Sequence, residues 1–161
     1  MAIIEEFITN SIYFCKGPSD VWKERVERLI KEAYYQINSV NSNELLTILN
    51  DIEFIICKDI EDNGSPVGAL TSKTYFKDKA RHRFIIILNP DFRFHGDETY
   101  RFIIAHEFAH ILYRHPAMRN IKRIYKDKRE YMASKKAADW GFIPDDEVKK
   151  NDPYFKTLLQ Q

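Results

Sequence analysis

Two histidines and a glutamate, His106, Glu107 and His110, fall inside a segment that is otherwise apolar on nearly every side. Phe102, Ile103, Ala105, Phe108, Ala109, Ile111 and Leu112 surround them, so a helix over this segment has to be buried. An unpartnered polar group in such a place costs about 2–7 kcal/mol, and an unpartnered charge more. One metal ion is the simplest partner for all three. Positions i and i+4 share a helix face, so the imidazoles of an HExxH segment converge on one ion while the glutamate stands beside it. That glutamate, Glu107, is the candidate acid–base residue. His106 and His110 are the candidate metal ligands.

A catalytic zinc site takes three protein ligands and leaves one position for water. Two acids compete for the third place, Glu130 and Asp139, which follow His110 by 20 and 29 residues. At about 100° per residue they stand a half-turn apart on one helix. Glu130 shares its side with Ala133, Ser134, Ala137, Ala138 and Gly141, small residues that permit close approach to the HExxH helix. Asp139 shares its side with Met132, Lys135 and Lys136, which reads as a solvated face. Glu130 is the preferred third ligand and Asp139 the alternative.

The chain has 161 residues, 44% of them hydrophobic, which suffices for one domain with a sizeable core. No apolar run reaches the roughly 18–20 residues of a membrane span. The acids in MAIIEEFITNS are unlike the basic start of a signal peptide. Two cysteines, Cys15 and Cys57, are too few for a disulfide framework and read as buried small hydrophobes. A soluble, cytoplasmic protein without a membrane partner is the expectation.

Trp22, Val26, Leu29, Ile30, Ala33 and Ile37 form one helical stripe after Asp20. A helical turn is expected over 44–49 and strands over 52–57, 69–76 and 83–89. The HExxH helix is expected to start at an Asp97 or Thr99 cap and to run to Pro116. A last helix should span about 127–140, with Gly141 as its stop. The expected class is α+β, a small, mainly antiparallel sheet packed on the HExxH helix, followed by a ligand-bearing helix. A single domain would hold a helical part over about 1–50, the sheet and zinc site over about 51–145, and a short C-terminal tail.

The segments RFIIAHEFAHILYRH and EYMASKKAADWGFIP together resemble the ImmA/IrrE-type metallopeptidases, and the glutamate 20 residues after HEFAH resembles the gluzincin layout. The likeness covers about Phe84 to Pro144. Glu130, Ala133, Ser134, Ala137 and Pro144 occupy a pattern close to E-x-x-A-N-x-x-A with a downstream proline. Ser134 stands where that family usually has Asn or Asp supporting the site, and Ala109 where it often has Gly. The resemblance implies a zincin-like domain, one Zn2+ ion on His106, His110 and Glu130, and regulated cleavage of a protein or peptide, a transcriptional repressor among the candidate substrates.

The strand over 83–89 is expected to offer the edge along which such a peptide would pair. His115 lies about 140° around the helix from His110. It is therefore expected to cap carbonyls or face solvent, as His82 and His95 are expected to lie on the surface. Tyr75, Tyr113, Tyr125, His95 and His115 are all candidates for stabilising an oxyanion. Charge is uneven along the chain: residues 1–70 hold 6 basic and 12 acidic side chains, and 71–161 hold 19 and 12. The basic excess peaks over Arg114–Arg129, with seven Lys or Arg against one Asp. A solvated face is the first reading of that run; the functional readings are an acidic protein partner or, as a minor one, a nucleic-acid backbone. The main functional expectation is a zinc-dependent endopeptidase; the rival is a metal-binding regulatory module without effective proteolysis.

Overall fold

The computed structural model describes residues 12–14, 20–40, 52–56, 61–62, 65–66, 69–75, 82–88, 96–113, 115 and 123–160. Among the strands, side chains are described only at Ile12 and Ile86, and along the helix that begins at Arg123 only from Asp127 onward. The expected turn over 44–49, both cysteines, His95 and residues 114 and 116–122 of the basic run lie outside the described residues.

Five helices are described: α1 (Asp20–Val40), α2 (Asp97–Leu112), α3 (Arg123–Asp139), α4 (Asp146–Asn151) and α5 (Pro153–Leu159). α1 follows its stripe. Val26, Leu29, Ile30, Ala33, Tyr34 and Ile37 are buried, while Lys31–Glu27 and Arg28–Glu32 ion pairs one turn apart lie on its other side. α2 is buried nearly all round, as its composition requires. α3 contributes a buried face of Ala133, Ser134 and Ala137. Side chains this small let two helix backbones approach, which positions α3 against α2.

Of the residues with described side chains, 83% are helical. This corrects the expected α+β class: the core is helix packed on helix, and among the described residues Ile86 is its only buried strand residue. The apolar stripe of α1, the all-round surface of α2, the small face of α3, and Trp140, Phe142 and Phe155 bury one another. The β-branched runs carry a strong local strand signal, but among the residues with described side chains the core around the HExxH helix is built almost wholly from helices.

The backbone also traces six short extended segments: β1 (Ile12–Phe14), β2 (Ile52–Ile56), β3 (Glu61–Asp62), β4 (Ser65–Pro66), β5 (Ala69–Tyr75) and β6 (His82–Leu88). Their ladder runs β1-β2-β6-β5, with β3 paired only to β4. The β1–β2 and β2–β6 pairings are parallel and only β5–β6 is antiparallel in that ladder, so the mainly antiparallel expectation fails here as well. The peptide-edge reading of 83–89 is also overturned, because β6 lies between β2 and β5 with both edges paired.

Three boundaries depart from expectation for local reasons. α2 begins after Gly96 without a side-chain cap. Asp97 is instead held by Arg25 and Arg28 of α1, and Thr99 Oγ1 accepts the backbone N–H of Asp145 at 2.8 Å. The helix ends at Leu112 rather than running to Pro116. The expected C-terminal tail contains α4 and α5. Gly141 does stop α3 and adopts φ 87°, a region costly for any residue with a Cβ. No helix of the described residues is long and apolar enough to cross a membrane.

Leu29 is fully buried and Val21 is 76% exposed on the same helix. Leu29→Ala should cost about 2–5 kcal/mol in urea unfolding, whereas Val21→Ala should stay within about 0.5 kcal/mol. Equal effects would show that the buried face of α1 is misassigned.

Candidate metal centre

α2 carries His106 and His110 one turn apart, and α3 brings Glu130 up to them. Glu130 Oε2 lies 3.1 Å from His106 Nε2 and 3.7 Å from His110 Nε2, and the two Nε2 atoms are 2.9 Å apart. A tetrahedral zinc ion with bonds of about 2.0–2.1 Å needs ligand atoms about 3.3 Å from one another. The observed triangle brackets that spacing. Among the described residues, these three form the one group of His, Cys, Asp or Glu side chains gathered closely enough to hold a metal ion.

Asp139 is elsewhere. Its side chain is half exposed and pairs with Lys135 Nζ at 2.9 Å, one turn away on the same helix. Helical phase therefore separates the two acids in the manner their neighbours indicate. Glu107 lies between the two histidines in sequence, is only 7% exposed, and adds negative charge close to His106.

Both histidines use their remaining ring nitrogen. His106 Nδ1 is 3.0 Å from Ser134 Oγ, and that hydroxyl donates to Asp152 Oδ2 at 2.5 Å. His110 Nδ1 is 2.8 Å from His115 Nδ1. When Nε2 faces an ion, Nδ1 carries the proton and donates it outward, the arrangement that holds a ligating imidazole in tautomer and orientation. The donor chemistry thus fits a divalent ion such as zinc: two imidazole nitrogens and one carboxylate oxygen, with the rings fixed from behind.

Electrostatics agree with this division. Burial alone would raise the Glu130 carboxyl, but the His106 hydrogen bond and the closeness of His110 outweigh it and hold Glu130 well below the usual carboxylate range. Burial disfavours a charged His106 ring, yet the Glu130 bond and the charges of Glu107, Glu130 and Asp152 overcome this and raise its pKa. His115 moves the other way. Burial, then the neighbouring charges of His110 and Arg129, lower it to about 4. A neutral His115 can accept the His110 Nδ1 proton.

Two of these contributors escape a reading of the sequence. His115 was expected to cap carbonyls or meet solvent. Because α2 ends at Leu112, the chain turns back, the His115 backbone N–H bonds to the His110 carbonyl at 2.9 Å, and the rings meet. Asp152 lies in what was expected to be a tail; Asp152-Pro153 is a readable helix start, but nothing in the pattern connects it to Ser134. Among the oxyanion candidates, Tyr113 is exposed and its ring lies 5.5 Å from that of His115. The side chains of Tyr75, Tyr125 and His95 lie outside the described residues. Compared with protein-family models, with curated proteins and with solved structures, the chain matches none.

In the metal-free protein, an unfolded His115 binds its proton near pH 6.5 and the folded one only near pH 4. Its neutral form therefore contributes stability above about pH 6.5 that is lost as pH falls toward 4. His115→Gln should flatten the decline in urea stability between those limits. A wild-type slope in that variant would remove His115 as a contributor.

Proposed function

We propose that the chain is a zinc-dependent endopeptidase. The observation that carries the reading is the convergence of His106 Nε2, His110 Nε2 and Glu130 Oε2 on one point, beside the buried Glu107. His106, His110 and Glu130 would hold one zinc ion, which when bound supplies a Lewis acid for a peptide carbonyl and for the attacking water. Glu107 is the base that takes the proton of that water and then the acid that returns it to the leaving amine. Burial of Glu107 keeps bulk water from competing for that proton. Ser134 and His115 hold the two imidazoles in the orientation the site requires.

The likeness of RFIIAHEFAHILYRH and the Glu130–Pro144 pattern to ImmA/IrrE-type metallopeptidases supports limited cleavage of a protein partner in the cytoplasm, with a transcriptional repressor as the first substrate class to test. This rests on motif and site chemistry and not on fold, which hosts many activities. Ligand type narrows the metal to zinc-like divalent ions without fixing it, so the bound element is itself a readout.

Elemental analysis should find about one zinc per wild-type chain, lost in Glu130→Ala and kept in Asp139→Ala. Glu107→Gln should retain the zinc while peptide cleavage falls by about 10²-fold or more, the usual scale of general acid–base catalysis. Wild-type turnover in Glu107→Gln would end this mechanism. Stoichiometric zinc without cleavage of any candidate partner would favour the non-proteolytic regulatory module.

A further inference from the structure

We infer that Asp152 is a positioning residue for the metal centre, acting through the Ser134 hydroxyl to fix the tautomer and orientation of His106; the inference rests on the metal reading above and names a part of the site that the HExxH pattern does not contain.

The proton count carries it. A serine hydroxyl has one proton to give and two lone pairs to accept with. Ser134 is fully buried, and its Oγ lies 2.5 Å from Asp152 Oδ2, a distance characteristic of an O–H donated to an ionised carboxylate. With that proton committed, Ser134 meets His106 Nδ1, 3.0 Å away, only as an acceptor. His106 must then carry its proton on Nδ1, and the Nε2 lone pair is left facing His110 and Glu130. Reversal of the chain would leave Asp152 Oδ2 without a donor and move the His106 proton to Nε2, where it would face His110 and Glu130.

Asp152 is more than a helix cap. Its Oδ1 alone accepts the backbone N–H groups of Tyr154 and Phe155, at 2.9 and 3.2 Å, and this caps α5. The Oδ2 bond to Ser134 is additional to that function. The carboxylate is also held in place from both sides. Its own backbone N–H bonds to the Val148 carbonyl, and Phe155, buried in the core, packs its ring 5.7 Å from that of Phe102, which lies 6.1 Å from the His106 ring. The relay thus links α5, α3 and α2 in a single line of contacts. A family pattern with Asn or Asp at the position of Ser134 would support the site directly. Here a shorter side chain is paired with a carboxylate 18 residues further along the chain.

The test measures zinc affinity of the full chain by competition with a chromophoric chelator, the cobalt(II) visible spectrum, and thermal unfolding of the metal-free protein. Ser134→Ala and Asp152→Ser, the latter keeping a capping hydroxyl too short to reach Ser134, should each weaken zinc binding by about 10- to 100-fold. The double variant should be no weaker than the worse single, because both changes break one relay. Ser134→Asp combined with Asp152→Ser should recover affinity and the wild-type cobalt spectrum by restoring a carboxylate behind His106. Asp152→Asn, which keeps side-chain size, reads the same relay if the serine variant does not fold. Wild-type zinc affinity in the Asp152 variants, with only the melting temperature lowered, would reduce Asp152 to a cap and overturn the relay alone. Multiplying effects in the double variant would overturn it too. A wild-type chain that takes up no zinc or cobalt would end both the relay and the metal reading.

Discussion

The meeting of two imidazoles and the Glu130 carboxylate between α2 and α3, largely removed from water, is the constraint around which the described body is arranged. A polar group removed from water must be paired, and His106, His110 and Glu130 are paired with one another. Pairing needs α3 close to α2, and that closeness is why Ala133, Ser134 and Ala137 face inward with no exposed surface. Ser134, the member of that face that meets His106, has no room for a larger side chain without moving α3 from α2. Small size on α3 and charge on α2 are therefore two aspects of one requirement.

The ends of α2 are fixed by different means. At its start, Asp97 accepts Arg25 and Arg28 of α1, with contacts of 2.6–2.8 Å, and the Arg28 and Arg25 bonds outweigh desolvation to hold the carboxyl below its ordinary value. An acid in the first turn also suits the helix dipole. Such half-exposed ion pairs contribute little stability individually. Their value here is register: with the Arg101–Glu32 pair at 3.0 Å they fix how α1 lies along α2, which apolar contacts alone leave open. Near the same end, Thr99 receives the Asp145 N–H, which ties the segment after α3 back to α2. At the other end Tyr113 and His115 turn the chain back on His110.

Much of this was legible in the sequence where a period or a phase decides the outcome. The stripe from Trp22 to Ile37, the HExxH spacing, the half-turn between Glu130 and Asp139, and Gly141 as a stop are all local quantities. The rest depends on distance through space. His115 was misread because its role follows from where α2 ends, and the sequence signals a stop only at Pro116 whereas the helix ends at Leu112. Asp152 was invisible because its partner is Ser134 on another helix. The fold class failed for a related reason: Ile52–Cys57 and Arg83–Asn89 carry a strong strand signal, but strand propensity says nothing about which elements bury the HExxH helix. The edge reading of the second run failed likewise, since a strand's neighbours are not written in its own residues.

The two histidines of the centre are not equivalent, and the difference follows from what lies behind each. His106 donates toward a hydroxyl whose proton is already drawn to an anionic carboxylate, so electron density is pushed toward its Nε2. His110 donates toward an imidazole that its own burial holds uncharged, with no carboxylate shown behind it among the described residues. The first ring is thus supported by charge and the second mainly by geometry. Glu130 reinforces the same asymmetry, standing 3.1 Å from His106 and 3.7 Å from His110. Negative charge is accordingly gathered on the His106 side, where Glu107, Glu130 and Asp152 all act on one ring.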